Sequence, residues 1–434
     1  MELQEFIDFL LLRDANVRYV VIGSMLIGAS AALVGSFLFL KKRALVGDAI
    51  AHSVLPGICL AFILFQTKSP LILLLGAIAT GWISLVVIDL ISNNSKIKSD
   101  TSIGLTLSWF FGIGIMLLTS IQKTGNAAQS GLDKFLFGNA SAMLGEDVFL
   151  FSGVSIVLIA MTLFLFKPLK LVIFDRDFAR SKGVRVGMFE LALSTMTVIA
   201  VAAGIKAVGV VLMAALLITP AAAARFWTND LRTMLLLASL FGMISGWSGA
   251  FVSYTLPRMS TGPWIVLVVS FIAIFSFFFG TQKGMVNKLW AQRKMQHKIA
   301  NENVLKLFYH LGEELRDFTA LRTFDELMNK RFMSKSDFNA AFSRLKRRQL
   351  VFTSDGRMAL TDQGVKEGQR LTRLHRLWEL YLIKYVKVAP DHVHDDAEAI
   401  EHIITPEIEA ELVALLDNPD QDPHNKNIPY SEES

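Results

Sequence analysis

The sequence has few charged residues and a single cysteine. Of its 434 residues, 19% are charged, whereas about a quarter of a soluble domain is charged. Hydrophobic residues make up 53%, so we expect part of the chain to lie in lipid. Cys59 alone cannot form an intrachain disulfide or a thiolate metal cluster. The sequence also lacks a Gly-x-x-x-x-Gly-Lys-Ser/Thr phosphate loop. No small-residue cleavage site follows the first apolar run, which we expect to remain as a membrane helix.

The charges are concentrated in one part of the chain. Residues 18–281 are apolar with sparse charge, whereas residues 282–434 have the composition of a soluble protein. This shift predicts one membrane domain followed by one soluble domain. The net charge of +5, from 43 basic and 38 acidic residues, does not by itself indicate binding to nucleic acid.

Apolar runs of about 20 residues predict membrane-spanning helices. Nine are expected, at residues 18–40, 46–66, 69–91, 102–121, 146–166, 188–206, 207–224, 231–254 and 262–281. The two that meet between Gly204 and Gly209 could instead be parts of a re-entrant segment. Residues 1–14 have the pattern of a short amphipathic helix on the membrane surface.

Basic loops predict the orientation of these spans. Clusters of Lys and Arg at residues 41–43, 167–185 and 283–298 are expected on the cytoplasmic side. Counting spans from either of the first two clusters places the N-terminus outside and the soluble domain in the cytoplasm, in agreement with the third cluster.

One apolar span carries two ionisable residues. The stretch from Gly47 to Gly57 reads GDAIAHSVLPG, in which Asp48 and His52 are four residues apart on one helix face. Ionisable groups in a span are costly and mark ion or substrate paths. A carboxylate with an imidazole suits Mn²⁺, Fe²⁺ or Zn²⁺. Alternatively, Asp48 pairs with Arg43, and His52 forms a hydrogen bond to a neighbouring helix.

Two further stretches of the membrane domain have distinctive patterns. Residues 174–184, FDRDFARSKGV, predict a short amphipathic helix in a cytoplasmic loop, ended by Gly183. Such a helix docks in a partner's groove or lies on lipid headgroups. Residues 209–225 are rich in Ala and Gly, which predicts close helix packing, and Thr219-Pro220 should kink or end this span.

Together these stretches resemble the permeases of the manganese/zinc/iron ABC importer family, over about residues 10–283. The resemblance implies a bacterial inner-membrane permease that works with a separate ATPase subunit, an extracytoplasmic metal-binding protein and a second permease subunit. It implies that Asp48 and His52 are metal ligands on the transport path. It also implies that the ATPase is contacted by the loop helix, through Asp175, Arg176, Phe178, Ala179 and Gly183.

The soluble half has the pattern of a winged helix-turn-helix. Helices are expected at residues 301–315, 323–332 and 335–349, followed by apolar strands around the turn at residues 354–357. Two more helices are predicted at residues 371–386 and 394–416, and the tail after Asp417 is polar. The predicted fold is therefore mostly α-helical. Its parts are an amphipathic segment (1–17), a transmembrane domain (18–282), a basic linker (283–300), a winged helix (301–365), metal-binding and dimerisation helices (366–418) and a tail (419–434).

Acidic and histidine residues recur at helical spacing in the last two helices. Glu398, Glu401 and His402 share one face, and His375 and Glu379 share another. Facing helices could offer this N/O set to Mn²⁺, Fe²⁺, Co²⁺ or Zn²⁺. A solvated, charged helix face is the alternative, and the spacing alone leaves both open.

This region resembles the diphtheria-toxin-repressor family of iron- and manganese-dependent regulators, over about residues 300–430. The resemblance rests on residues 374–379, residues 393–402, Asp422-Pro423-His424 and Ile428-Pro429. It implies a primary metal site with His375, Glu398, Glu401 and His402, and an ancillary site with His375, Glu379 and His394. The family's first helix also donates ligands, but the matching positions here are Asn303 and Lys306. Asn is a weak ligand, and a Lys ammonium repels a cation.

The winged helix also carries basic residues suited to DNA phosphates. They lie on the predicted recognition helix and the hairpin: Lys335, Arg344, Lys346 and Arg357. Two interpretations of the soluble domain remain. It senses metal and adjusts transport, or it is a transcriptional regulator that is active in place or after proteolytic release.

Overall fold

The computed structural model describes residues 3–123, 138, 143–256, 259–330, 333–387, 404–417, 419–423 and 426–429. The chain divides into two compact units, Met1–Lys288 and Leu289–Ser434. Each unit has its own apolar core.

The first unit is a helix bundle. Its helices are α1 (Leu3–Leu10), α2 (Ala15–Leu40), α3 (Ala44–Ser53), α4 (Leu55–Phe65), α5 (Pro70–Asn94), α6 (Ser99–Lys123), α7 (Gly145–Phe174), α8 (Arg176–Ser181), α9 (Val186–Val208), α10 (Val210–Arg225), α11 (Leu231–Thr255) and α12 (Thr261–Phe279). Within the described residues, eight helical segments are long and apolar enough to cross a membrane: α2, α3 with α4, α5, α6, α7, α9, α11 and α12.

The structure corrects the expectation of nine full-length spans. The predicted span at residues 207–224 is α10, a helix of 16 residues. Gly209 separates it from α9 at φ +93°, a conformation that side chains disfavour. Sixteen helical residues rise about 24 Å, less than the roughly 30 Å of a hydrocarbon core.

Although short, α10 runs beside α12 between the same two ends of the bundle. At one end, the N–H groups of Gln282 and Lys283 donate to the Phe226 carbonyl, at 3.0 and 3.2 Å. At the other end, Gly138 abuts Gly209, and the Ser260 hydroxyl lies 3.5 Å from the Gly138 carbonyl. The ends of α10 and α12 are therefore level with each other.

Helix α2 lies at the centre of the bundle and packs against α7, α9, α10 and α11. Small residues allow the closest approach: a Cβ added to Gly28 would lie 2.3 Å from the Gly242 carbonyl oxygen of α11. On α1, Phe9 is buried and packs edge-on against Trp247 and Phe251 of α11, whereas Leu10 is exposed.

The second unit contains a winged helix. Its elements are α13 (Met285–Leu315), α14 (Phe324–Met328), α15 (Lys335–Arg347), β1 (Val351–Ser354) and β2 (Arg357–Leu360). The strands pair from Val351↔Leu360 to Ser354↔Arg357, and both turn residues, Asp355 and Gly356, have positive φ. Such a turn matches the strand twist of a two-residue hairpin. The predicted linker at 283–300 is helical from Met285 onward, as part of α13.

The winged helix is followed by α16 (Asp362–Tyr381) and α17 (Pro406–Leu415). The single helix predicted over 394–416 is wrong, because Thr405 is extended and caps a new helix. A residue before proline is disfavoured in the helical region, which explains the boundary. Residues 394–403 lie outside the described residues. Leu412 and Leu416 of the α17 region pack on Leu377 of α16.

Candidate metal path, coupling loop and regulatory site

Helix α3 brings Asp48 and His52 together. His52 Nε2 lies 3.6 Å from Asp48 Oδ1, and the side chains are 15% and 37% exposed, respectively. The imidazole packs edge-on against Phe111 of α6, with ring centroids 4.8 Å apart. Its buried Nδ1 has no hydrogen-bond partner among the described residues. A nitrogen and a carboxylate oxygen thus lie close together, and the carboxylate is accessible from outside the chain.

The alternative roles considered for this pair do not match its surroundings. Arg43 lies 4.0 Å from Asp89 of α5, whereas Asp48 contacts His52. The unpartnered Nδ1 of His52 also argues against a hydrogen bond to a neighbouring helix.

Two glycines explain how α3 and α4 hold this pair inside the bundle. A Cβ at Gly47 would lie 2.5 Å from a methyl carbon of Leu217 on α10. A Cβ at Gly57 would lie 2.1 Å from the Gly76 carbonyl oxygen of α5. Between them, Val54 and Pro56 end α3 and start α4. The GDAIAHSVLPG stretch is therefore packed on both sides of the Asp48–His52 pair.

The predicted loop helix is α8. Its N-cap is Asp175, whose carboxylate accepts the Phe178 N–H at 2.9 Å. The chain turns after Ser181 through Gly183, at φ +77°. Ala179 is fully buried between Val172 and Val186, while Phe178 on the outer face is 47% exposed. This helix is fixed to the bundle on one side and offers an aromatic side chain on the other.

Three ionic contacts in the bundle, made by two acidic residues, were missed from the sequence. Asp147, which is fully buried, accepts a hydrogen bond from Lys206 Nζ at 2.5 Å. Glu190 contacts both Lys41 and Arg176, each at 2.9 Å. Asp147, Glu190 and Lys206 lie in or beside apolar runs, which indicates that each needs a partner in the bundle but does not identify that partner.

In the second unit, the buried side chains of His375 and Glu379 contact each other on α16, with Nε2 and Oε1 3.1 Å apart. The other predicted ligands, His394, Glu398, Glu401 and His402, lie outside the described residues. No group of three or more metal-ligating side chains occurs in the parts of the chain that the structure covers.

Of the two residues of α13 at the expected ligand positions, one is compatible with metal binding and the other is not. The Asn303 amide oxygen is buried with no hydrogen-bond partner among the described residues, as a ligand oxygen would be. Lys306, one turn later on α13, is only 2% exposed, so its positive charge stays inside the domain. Burial, together with the charges of Lys306 and Arg376, lowers the pKa of His310 to about 3.

The predicted DNA-contacting residues differ in exposure and in the contacts that they already make. Lys346 and Arg357 are exposed. Lys335 lies over the Phe324 ring at 5.2 Å. Arg344 donates from Nε to the Asn301 side-chain oxygen of α13 at 3.0 Å, so it ties two helices together.

The eight long apolar helices, with ionisable side chains inside the bundle, define a multi-pass membrane protein. The chain belongs to the ABC 3 transport family, whose model matches residues 13–280. Residues 361–430 match the model of the iron dependent repressor, metal binding and dimerisation domain. Both family resemblances are confirmed.

Individual relatives match either most of the chain or its membrane domain. The manganese transport system membrane protein MntC of Bacillus subtilis is 37% identical over 382 residues, which cover 88% of this chain and 87% of that protein. The zinc transport system membrane protein TroC of Treponema pallidum is 45% identical over 285 residues, 66% of this chain and 96% of that protein. The solved structure of PsaBC from Streptococcus pneumoniae, in complex with Fab, is 32% identical with a TM-score of 0.59, over 65% of this chain and 98% of that one.

Proposed function

We propose that this chain is the permease subunit of an ABC importer for divalent transition metals, Mn²⁺, Zn²⁺ or Fe²⁺, with a fused metal-responsive regulatory domain. The observation that carries the proposal is the Asp48–His52 pair, a carboxylate and an imidazole 3.6 Å apart inside an apolar bundle. Such a mixed O/N pair suits these cations and suits an organic solute poorly. The transport names of the manganese and zinc relatives point to the same class of cargo.

One chain supplies only part of a coordination shell on this path. Zn²⁺ takes about four ligands, and Mn²⁺ commonly more. Asp48 is 37% exposed, so its carboxylate can reach a metal that a second subunit also contacts. A two-fold axis beside α3 would present two carboxylates and two imidazoles to one ion. We therefore propose that the permease works as a pair, either with itself or with a paralogue.

The proposed orientation follows from the charged end of the bundle. Lys41, Arg43, Arg176 and Lys283 lie at the ends of helices where cytoplasmic basic loops are expected. Because α10 runs between the same ends as α12, nine passes place the N-terminus outside and the second unit in the cytoplasm. An extracytoplasmic metal-binding protein would deliver cargo at the opposite end of an inner-membrane transporter.

Substitutions of the metal-path residues test this proposal. Asp48→Ala and His52→Ala should each abolish uptake of Mn²⁺ and Zn²⁺ in cells that lack other importers, because either change leaves the path with half its ligand pair. The ATPase should still copurify with both variants. Asp89→Ala, which removes a 61% exposed carboxylate at the end of α5, is the matched control and should transport normally. Normal metal accumulation in His52→Ala would remove the metal-path assignment.

The proposed contact with the ATPase is α8. Phe178 is the exposed apolar side chain of this short helix, opposite the buried Ala179. Phe178→Asp should weaken copurification of the ATPase, since a charge replaces the apolar contact. Asp177→Asn on the same helix changes an exposed carboxylate that pairs only locally with Arg180, and it should retain the ATPase. If both variants bind the ATPase equally, α8 is only a surface helix.

We also propose that the second unit senses cytoplasmic metal through His375 and Glu379, with His394, Glu398, Glu401 and His402. A bound cation would connect these residues to one another. Anchoring of Arg344 on Asn301 favours sensing over DNA binding, because one of the predicted phosphate contacts is already engaged. Fluorescence anisotropy of labelled DNA, with the full chain and Mn²⁺, separates the two roles. Salt-sensitive binding that Arg357→Ala weakens would favour DNA binding.

A further inference from the structure

Glu190 connects two parts of the membrane unit that the sequence places far apart. Its Oε1 lies 2.9 Å from Lys41 Nζ, and its Oε2 lies 2.9 Å from Arg176 Nη2. Each carboxylate oxygen thus holds one cation. The Glu190 side chain is 26% exposed and Lys41 is 18% exposed, so their contact is largely shielded from water, whereas Arg176 is 54% exposed.

On one side, the bridge begins at the proposed docking helix. Arg176 is the first residue of α8, and Ala179 fixes α8 against Val186, in the first turn of α9. Glu190 lies one turn further along α9. A force applied to α8 therefore reaches Glu190 through both a salt bridge and an apolar contact.

On the other side, the bridge ends beside the metal path. Lys41 caps α2, and only Lys42 and Arg43 separate it from α3, which carries Asp48 and His52. This connection is tight, because Lys42 has φ +58° and the Arg43 N–H donates to the Leu38 carbonyl at 3.2 Å. A shift of Lys41 must therefore move the start of α3.

We propose that Glu190 is a positioning residue that transmits movement of the ATPase-bound α8 to the metal-ligating helix α3. The inference rests on the proposed function, because it needs α8 to contact the ATPase and α3 to contact the metal. It adds a specific route between them, from Arg176 through Glu190 to Lys41. Loss of the carboxylate would leave the two cations facing each other and break the link without changing either site.

The test is the number of Mn²⁺ ions transported per ATP hydrolysed by the permease–ATPase complex in liposomes. Glu190→Gln should lower this ratio about twofold to thirtyfold, the range expected for loss of two modest ionic contacts. Copurification of the ATPase and Mn²⁺ binding to the complex should be unchanged. Glu190→Asp keeps the charge but is one methylene shorter, so it can hold one cation at a time and should give an intermediate ratio.

Asp8→Asn is the control, because it removes a carboxylate of α1 whose partner, Arg13, is close in sequence, and both lie outside α8 and outside the proposed route. It should keep the wild-type ratio. Lys41→Met and Arg176→Met should each lower the ratio, and neither should lower it further in the Glu190→Gln background, since all three interrupt one route.

A wild-type ratio in Glu190→Gln would overturn the proposal, as would an equal loss in Asp8→Asn. If Glu190→Gln does not assemble with the ATPase, Arg176→Met is the deciding variant, because it leaves the Lys41–Glu190 contact in place. A wild-type ratio in Arg176→Met would refute the proposed route through Glu190. Failure of the proposed function looks different. If α8 does not contact the ATPase, Phe178→Asp will still copurify with the ATPase. If Phe178→Asp loses the ATPase but Glu190→Gln keeps the wild-type ratio, only the role of Glu190 is refuted.

Discussion

Arg376→Met should strongly destabilise the second unit. Arg376 is 4% exposed and lies at the centre of a polar cluster on α16. Its guanidinium donates to both Glu313 oxygens of α13, at 2.9 and 2.7 Å, and to the Asn427 carbonyl at 2.5 Å. Its Nε also lies 3.3 Å from Asp422. The substitution keeps most of the apolar stem but leaves two carboxylates without this cation.

Breaking a buried pair on one side costs about 3–5 kcal/mol of the free energy of unfolding. A domain of this size has about 5–15 kcal/mol in total. With a urea dependence of about 1–3 kcal/mol per molar, the unfolding midpoint should fall by about 1 M or more. Circular dichroism of the fragment 289–434 in urea measures this shift.

Arg370→Met is the matched control on the same helix. Arg370 is 37% exposed, and its partner Glu409 is also held by Arg373. The expected cost is about 0.2–1 kcal/mol. Equal midpoints for the two variants would refute the argument that burial sets the value of these ion pairs.

Two further predictions concern the same unit. Because the pKa of His310 is lowered to about 3, the unfolded chain binds more protons than the folded one between about pH 3 and 6.5, and stability should fall as pH falls. At about 1.4 kcal/mol per pH unit, the loss from pH 7 to pH 5 is about 2 kcal/mol. Urea titrations at both pH values should show this loss, and His310→Phe should reduce it, whereas the exposed His297→Gln should not. Lys306→Glu should tighten Mn²⁺ binding to this unit, since a carboxylate replaces a buried repelling charge; equal affinities by calorimetry would mean that α13 does not face the metal.

The sequence allowed the bundle and the winged helix to be predicted because both rest on local patterns. Apolar runs of the right length gave the positions of the spans, and Ser354-Asp355-Gly356-Arg357 gave the hairpin turn. The spacing of Asp48 and His52 was enough to place them together, since residues four apart share a helix face. The prediction failed where a single residue sets the boundary of an element: Gly209 shortens the seventh predicted span, and Pro406 starts a separate helix.

Long-range ionic contacts could not be predicted in the same way. Lys41 and Glu190 are 149 positions apart, and Asp147 and Lys206 are 59 apart. Their meeting depends on how α2, α7 and α9 pack, which helical spacing within one segment does not specify. Likewise, the sequence suggested Arg344 as a phosphate contact, and only packing of α15 on α13 brings it to Asn301.

Metal binding to the purified permease–ATPase complex tests the central claim most directly. Every sample should carry the His375→Ala substitution, so that metal bound by the second unit adds little to the measured Mn²⁺ content. The account predicts one Mn²⁺ per two permease chains after equilibrium dialysis, measured by elemental analysis, because each chain supplies one carboxylate and one imidazole. It predicts that His52→Ala and Asp48→Ala lose this ion while the complex remains assembled. An unchanged Mn²⁺ content in both variants would contradict the claim that this pair binds the transported metal.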